Sequence, residues 1–164
     1  MLGFTLIELI MVIVMLGVLA VVAAPRIFNS SDFYARGFHD VSMANLRYAQ
    51  KTAIAQRRNV CVYFSSSSIT LRIGKTAKDD PVPDFDCYTS AKGLVLMGPD
   101  GAASVSAKPG VTYSGGVAPA NFNFDPLGQP VNNSNVALTS SQSISVETVG
   151  KSITVEAISG YVHD

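Results

Sequence analysis

The sequence predicts an α+β fold in which one long N-terminal helix packs against an antiparallel β-sheet. Three observations predict it. The first 24 residues are almost entirely apolar, residues 32–58 continue with helical periodicity, and the rest of the chain consists of short alternating segments separated by Gly, Pro and Ser. A chain of 164 residues fits one domain with an appendage.

The apolar segment has the length of a membrane span. Every residue from position 9 to 24 is apolar or Gly, and Thr5 and Glu8 interrupt the run that begins at Phe4. As a helix rising about 1.5 Å per residue, the segment spans roughly 30 Å, the thickness of one hydrocarbon core. A cleavable secretory signal is the alternative, but it needs a basic segment before its apolar core, and no basic residue precedes this one. The pattern favours a retained transmembrane helix.

The helix is expected to continue with one apolar side through about residue 58. The predicted apolar stripe contains Phe38, Val41, Ala49 and Ala53, with Leu46 and Tyr48 at its margins. The charged residues that turn away from it are mostly Arg36, Asp40, Arg47, Lys51 and Arg58. Ser30, Ser31 and Asp32 supply N-cap chemistry. We therefore expect one helix of about 50 residues, weakened near Pro25 and Gly37.

Short strands follow the helix. Residues 60–64 form a β-rich run and residues 69–73 alternate cleanly, so the polar residues 65–68 between them predict a hairpin. Residues 75–88 read as a charged loop, and weaker strands are predicted at residues 94–97, 111–113 and 121–124.

A second hairpin is predicted near the C-terminus. Residues 143–149 and 152–158 flank Gly150-Lys151, a pair suited to a type II′ turn. Pairing outward from that turn places Thr148 opposite Ile153, Val146 opposite Val155 and Ile144 opposite Ala157. All six of these side chains would then lie on one face of the hairpin.

Cys61 and Cys87 predict a disulfide. An even number of cysteines in a chain that starts with a membrane segment suits an oxidising compartment. Two independent buried thiols are the alternative.

The composition excludes several functions. Twelve basic and twelve acidic residues balance, and residues 159–164 contain no arginine, so nucleic acid is an unexpected partner. His39 and His163 are isolated, and nucleophile elbows, phosphate loops and metal-ligand runs are absent from the sequence. The chain is predicted to be a non-enzyme without a cofactor or a small-molecule substrate.

Two polar features have alternative interpretations. Asp79, Asp80, Asp84 and Asp86 could bind Ca²⁺, but Lys75 and Lys78 stand beside them and the EF-hand spacing is absent, so a solvated acidic loop is favoured. The Asn-x-Ser triplets at residues 29–31 and 132–134 are interpreted as caps and turns.

The N-terminal motif Gly3-Phe4-Thr5-Leu6-Ile7-Glu8, followed at once by an apolar helix, resembles the class III signal of type IV pilins and pseudopilins. The resemblance implies that a membrane peptidase cuts between Gly3 and Phe4 and methylates the new N-terminal Phe4. It also implies that Glu8 neutralises the Phe4 amine of a neighbouring subunit during assembly. The alternative is that Glu8 is merely tolerated, since it lies shallow enough to reach the interface.

The wider chain resembles minor pilins and pseudopilins of the H/FimT type. The resemblance rests on residues 46–50 (Leu-Arg-Tyr-Ala-Gln), 55–59 (Ala-Gln-Arg-Arg-Asn) and 124–128 (Phe-Asp-Pro-Leu-Gly). Within that group the chain is most similar to the mannose-sensitive haemagglutinin (MSHA) pilus subunits. One departure concerns the leader. Family leaders usually carry Lys or Arg before the Gly, whereas Met1 and Leu2 precede Gly3, so charge alone would orient the helix in reverse.

The resemblance implies a minor pilin with a type IV pilin fold. Its expected parts are a leader remnant at residues 1–3, a transmembrane and filament-core helix at residues 4–28, and a periplasmic domain at residues 29–164. The implied partners are other pilin subunits, the inner membrane of a Gram-negative bacterium and the prepilin peptidase. The alternatives are a minor pseudopilin of type II secretion and a membrane-tethered module for adhesion or DNA uptake.

Overall fold

A computed structural model describes residues 5–28, 31–77, 87 and 93–164 of this chain. Helix α1 spans Leu6–Phe28 and helix α2 spans Ser31–Gln56, and short antiparallel strands make up most of the rest. The predicted α+β class is confirmed.

The expected single helix is two helices. Pro25 lies inside α1, which ends at Phe28, and Gly37 lies inside α2, which begins at Ser31. The first helix thus ends three residues after the predicted weak point at Pro25, and α2 continues through the one at Gly37. A proline removes one backbone hydrogen bond, but the following residues can still complete a helical turn. Asp32 lies in the first turn of α2, where its charge suits the helix dipole. The predicted cap residue Ser30 lies outside the described residues.

The buried face of α2 is more polar than the predicted stripe. Leu46, expected at the margin, is fully buried at its centre, whereas Val41 is 36% exposed. The face also contains Ser42 and Asn45, and both are satisfied by hydrogen bonds. The Ser42 hydroxyl lies 3.1 Å from the Tyr113 hydroxyl, and the Asn45 amide donates to the carbonyl of Val41 at 2.9 Å.

The larger sheet packs under α2. Its strands are β1 Val60–Phe64, β2 Ser68–Gly74, β3 Gly93–Val95, β4 Ser104–Ser106, β5 Phe122–Phe124 and β6 Pro130–Val131. The order is β3-β2-β1-β5-β6, and β4 pairs with the first half of β2. The predicted first hairpin is confirmed, with Val60 opposite Ile73 and Phe64 opposite Ile69.

The smaller sheet has the order β7-β8-β9, with β7 at Gln142–Ser145, β8 at Ser152–Val155 and β9 at Val162–His163. The predicted register of its hairpin is wrong. Ile144 pairs with Ile153, and Gln142 pairs with Val155. Residues 146–151 form the connection, in which Val146 bridges to Tyr113 instead of pairing with β8. The shift is even, so Ile144, Ile153 and Val155 still share one face as predicted, and all three are buried.

The weaker strand predictions have mixed outcomes. Residues 94–97 and 121–124 overlap β3 and β5, but residues 111–113 contribute only the isolated bridge of Tyr113. Three very short strands, β4, β6 and β9, were not predicted. Strands of two or three residues carry no readable period, and β4 in addition pairs with the distant strand β2.

Candidate assembly interface

The surface of α1 is apolar on all sides and exposed. Every described side chain from Thr5 to Val21 is exposed, and the large apolar ones are between 41% and 78% exposed. Soluble monomers rarely expose a continuous apolar surface of this kind, and such a surface marks an interaction site or a membrane contact. Among the described residues, no helix combines the length and the apolar character that crossing a membrane requires.

Glu8 lies in the first turn of α1, where the structure offers a local role for it. The hydroxyl of Thr5 accepts a hydrogen bond from the backbone N–H of Glu8 at 3.4 Å, as an N-cap residue does three positions before its partner. Thr5-x-x-Glu8 is the spacing of a capping box, and a carboxylate there also favours the helix dipole. Glu8 therefore suits helix initiation as well as charge pairing. Gly3 and Phe4, the predicted processing site, lie outside the described residues.

The predicted disulfide is present. Cys61 in β1 and Cys87 are bonded, with Cα atoms 5.8 Å apart, and both are fully buried. Arg72 of β2 supports the bridge from one side. Its Nε donates to the carbonyl of Cys87 at 3.0 Å, and its Nη2 donates to the carbonyl of Gly93 at 2.7 Å. The bond thus ties Cys87 to the centre of the larger sheet.

The family-like residues of the globular part converge at the C-terminal half of α2. Asp125 forms the turn between β5 and β6, its carboxylate accepting the N–H groups of Leu127 and Gln129. The amide of Gln50 then donates to the carbonyl of Gly128 at 3.1 Å and to that of Ser159 at 2.9 Å. Three segments distant in sequence are joined by one side chain. The role of these residues here is to hold the two sheets to the helix.

A polar cluster missed by sequence reasoning lies where α2 meets the C-terminal segment. A pocket there is lined by Arg36, His39, Asp40, Val149, Lys151 and Asp164. His39 is buried, and its Nδ1 lies 3.3 Å from a carboxylate oxygen of Asp40. Lys151 pairs with Asp164 at 2.9 Å. The spacing of residues 36, 39 and 40 on one helix face was the available signal, but the partners come from far along the chain.

His163, which looked isolated in the sequence, is half-buried and paired. Its Nε2 lies 2.9 Å from a carboxylate oxygen of Glu156, and its ring stacks on Tyr161. The hydrogen bond that the Glu156 carboxylate accepts from His163 raises the pKa of His163, and the same bond lowers the pKa of the Glu156 carboxyl. The segment after β8 is held further by Arg47, whose Nε donates to the carbonyl of Val162 at 3.1 Å.

The acidic residues Asp79, Asp80, Asp84 and Asp86 lie outside the described residues, as does most of the charged loop around them. Within the described part of the chain, no group of His, Cys, Asp and Glu is arranged to hold a metal ion. The second Asn-x-Ser triplet does form a turn, as predicted. The side-chain oxygen of Asn132 accepts the N–H groups of Ser134 and Val136.

Comparisons of this chain with protein-family models, with curated proteins and with solved structures give no match.

Proposed function

We propose that this chain is a minor pilin, a subunit that helps to assemble a type IV pilus of the MSHA kind. The observation that carries the proposal is the exposed apolar surface of α1, which the rest of the described chain leaves uncovered. Burying one large aliphatic side chain contributes about 1.5–3 kcal/mol. A helix with such side chains all round therefore needs lipid or other apolar helices as neighbours.

In this proposal α1 has two successive environments. It first anchors the subunit in the inner membrane, with the globular part in the periplasm, and it then enters the core of a helical filament beside other pilin subunits. The prepilin peptidase cuts between Gly3 and Phe4 and methylates Phe4. The buried disulfide between Cys61 and Cys87 supports the periplasmic placement, because such bonds form and persist in oxidising compartments. The role is structural, with no reaction catalysed.

Glu8 supplies the charge that assembly needs. Cleavage frees the Phe4 amine, which loses contact with water when α1 enters a bundle of apolar helices. Glu8 is the only charged residue from Phe4 to Ala24, so it is the available counter-charge on a neighbouring subunit. Leaving one member of a buried ion pair unpartnered costs about 3–5 kcal/mol. The pairing also specifies the axial register between subunits.

The test separates this charge from the capping role of the same residue. Glu8→Leu removes the charge and the polar side chain, whereas Glu8→Gln keeps the polar group that suits a capping box and removes only the charge. Each variant replaces the native copy in cells, and sheared filaments and membrane fractions are blotted separately. We expect both variants to be processed and to reach the membrane at wild-type levels or above, and both to be depleted from filaments.

Other outcomes of this experiment would assign Glu8 a different role or contradict the proposed function. Entry of Glu8→Gln into filaments at the wild-type level would disprove the charge pair and leave helix capping as the role of Glu8. Accumulation of uncleaved precursor would instead assign Glu8 to recognition by the peptidase. If the wild-type chain itself is absent from sheared filaments, the proposed function is wrong. Co-purification with a secretion pseudopilus instead of a surface pilus would identify the pseudopilin alternative.

A further inference from the structure

An open groove runs beside the N-terminal half of α2. One wall is formed by Phe33, Gly37 and Val41 of α2, and the other by Val105, Ala107 and Lys108 in and after β4. Its volume is about 230 Å³, and its lining is mostly apolar. Phe33 is 76% exposed at its rim. An aromatic side chain this exposed beside an open apolar groove is typical of a surface that a partner covers.

Gly37 indicates what kind of partner would occupy the groove. Glycine is among the poorest helix formers, yet it lies in the interior of α2 with ordinary helical backbone angles. A Cβ atom at this position would meet no atom of the described residues within 4 Å. Packing within the described part of the chain therefore gives no reason for glycine there. A partner whose backbone approaches the helix closely does, because only glycine leaves room for such an approach.

Helix α1 of the chain itself has the properties expected of the partner. Helix α1 is apolar all round and carries its own glycine, Gly17, at which a Cβ atom would likewise meet nothing within 4 Å. Small residues on both sides let two helices pack at short range. From Leu6 to Val21 the sequence of α1 has no cation that would repel Lys108 at the edge of the groove.

The position of the groove favours a neighbouring subunit's helix over the chain's own. The described side chains of the chain's own α1, from Thr5 to Val21, are all exposed, so none of them fills the groove. Because α1 ends at Phe28 and α2 begins at Ser31, the groove lies close to where α1 joins the globular part. Subunits that pack their α1 helices side by side therefore bring a neighbour's apolar helix towards it, so the groove continues the proposed assembly surface.

We infer that the groove between α2 and β4 receives the apolar α1-type helix of a neighbouring subunit, with Gly37 as the point of closest approach. This inference rests on the proposed filament function. It adds a contact between the globular part of one subunit and the apolar helix of the next.

The first experiment fills the groove without disturbing the fold. Gly37→Leu places a side chain in the open space above the helix, and Ala55→Leu is the matched control. Ala55 is an exposed residue on the same side of α2, about 27 Å further along the helix. Full-length chains replace the native copy, and filament and membrane fractions are blotted. Melting of each detergent-solubilised chain is followed by circular dichroism.

We expect Gly37→Leu to melt at or above the wild-type temperature, because leucine is a better helix former than glycine. It should reach the membrane normally and fall about tenfold or more in filaments. Ala55→Leu should match the wild type in both fractions. Gly37→Leu at the wild-type filament level would overturn the inference and leave the proposed function intact. Absence of the wild-type chain from filaments would overturn both.

The second experiment identifies the occupant directly. A photo-crosslinking benzoylphenylalanine replaces Val41, which is 36% exposed in the groove. Filaments are irradiated and the crosslinked peptides are sequenced by mass spectrometry. A product that joins two subunits through the apolar N-terminal helix of one supports the inference, even if Gly37→Leu were to misfold. A crosslink to a globular part, a crosslink within one chain to its own α1, or no crosslink in intact filaments would each contradict it.

Discussion

Tyr113 shows how one side chain joins elements that are distant in sequence. Its ring lies 5.1 Å from that of Phe38 on α2 and 5.6 Å from that of Phe64 on β1. Its hydroxyl shares a hydrogen bond with Ser42, so the buried polar atom is satisfied. Burial raises the pKa of Tyr113 to about 12, so the side chain stays neutral well above the pH at which free tyrosine ionises.

The pair His163 and Glu156 gives a pH prediction at the residue scale. The pKa of His163 is raised above 6.5, so its stabilising contribution is present below that pH and is lost as pH rises through the raised value. The pKa of Glu156 is lowered below 4.5, so its contribution is lost as pH falls through the lowered value. The pair should therefore stabilise the C-terminal segment most between pH 4.5 and pH 6.5.

The measurement is an NMR titration of the His163 ring. Glu156→Gln should lower the pKa of His163 towards the ordinary value, because the largest cause of its shift is the hydrogen bond that this carboxylate accepts from the ring. Glu147→Gln is the matched control, since the Glu147 carboxylate contacts Thr112 and not His163. An unchanged His163 pKa in Glu156→Gln would mean that the pair does not persist in solution.

At the scale of elements, β1 and β2 carry most of the connections in the larger sheet. β1 pairs with β2 on one side and with β5 on the other, while β2 pairs with both β3 and β4. The short strands β3 and β4 have few backbone hydrogen bonds of their own. The disulfide adds a covalent link to this sheet, because it fixes Cys87 against β1.

The disulfide prediction follows from this arrangement. The bond joins residues separated by 26 positions, and closing a loop of that length stabilises a fold by about 3–4 kcal/mol in the chain-entropy model. The double variant Cys61→Ala with Cys87→Ala should lose about that much free energy of unfolding, measured by urea titration. The reduced wild-type chain is the control and should lose a similar amount. Coincident curves for all three proteins would refute the stabilising role.

At the scale of the whole molecule, the globular part buries its apolar side chains in a core of its own, whereas the described side chains of α1 are exposed. The globular part has a continuous core of aliphatic and aromatic side chains from α2 and both sheets. The described side chains of α1 add nothing to that core, since all are exposed. Folding of the globular part should therefore be independent of the segment that needs partners.

This independence predicts that removing residues 1–28 leaves a soluble, folded monomer. Helix α2 keeps its buried face, and the deleted helix contributes no described buried side chain. Gel filtration should give a monomer, and circular dichroism should show a cooperative melt. The full-length chain in detergent is the control and should melt at a similar temperature. Aggregation of the truncated chain would show that α1 also stabilises the globular part.

The sequence alone determined the α+β class, the hairpin of β1 and β2, the pairing of Cys61 with Cys87 and the apolar character of α1. These features are local or compositional, so periodicity and spacing encode them directly. The tertiary structure alone decided the register of β7 against β8, because Val146 is held by the distant Tyr113. It likewise decided which face of α2 is buried, since polar residues such as Ser42 become acceptable there only when a partner from another segment completes their hydrogen bonds.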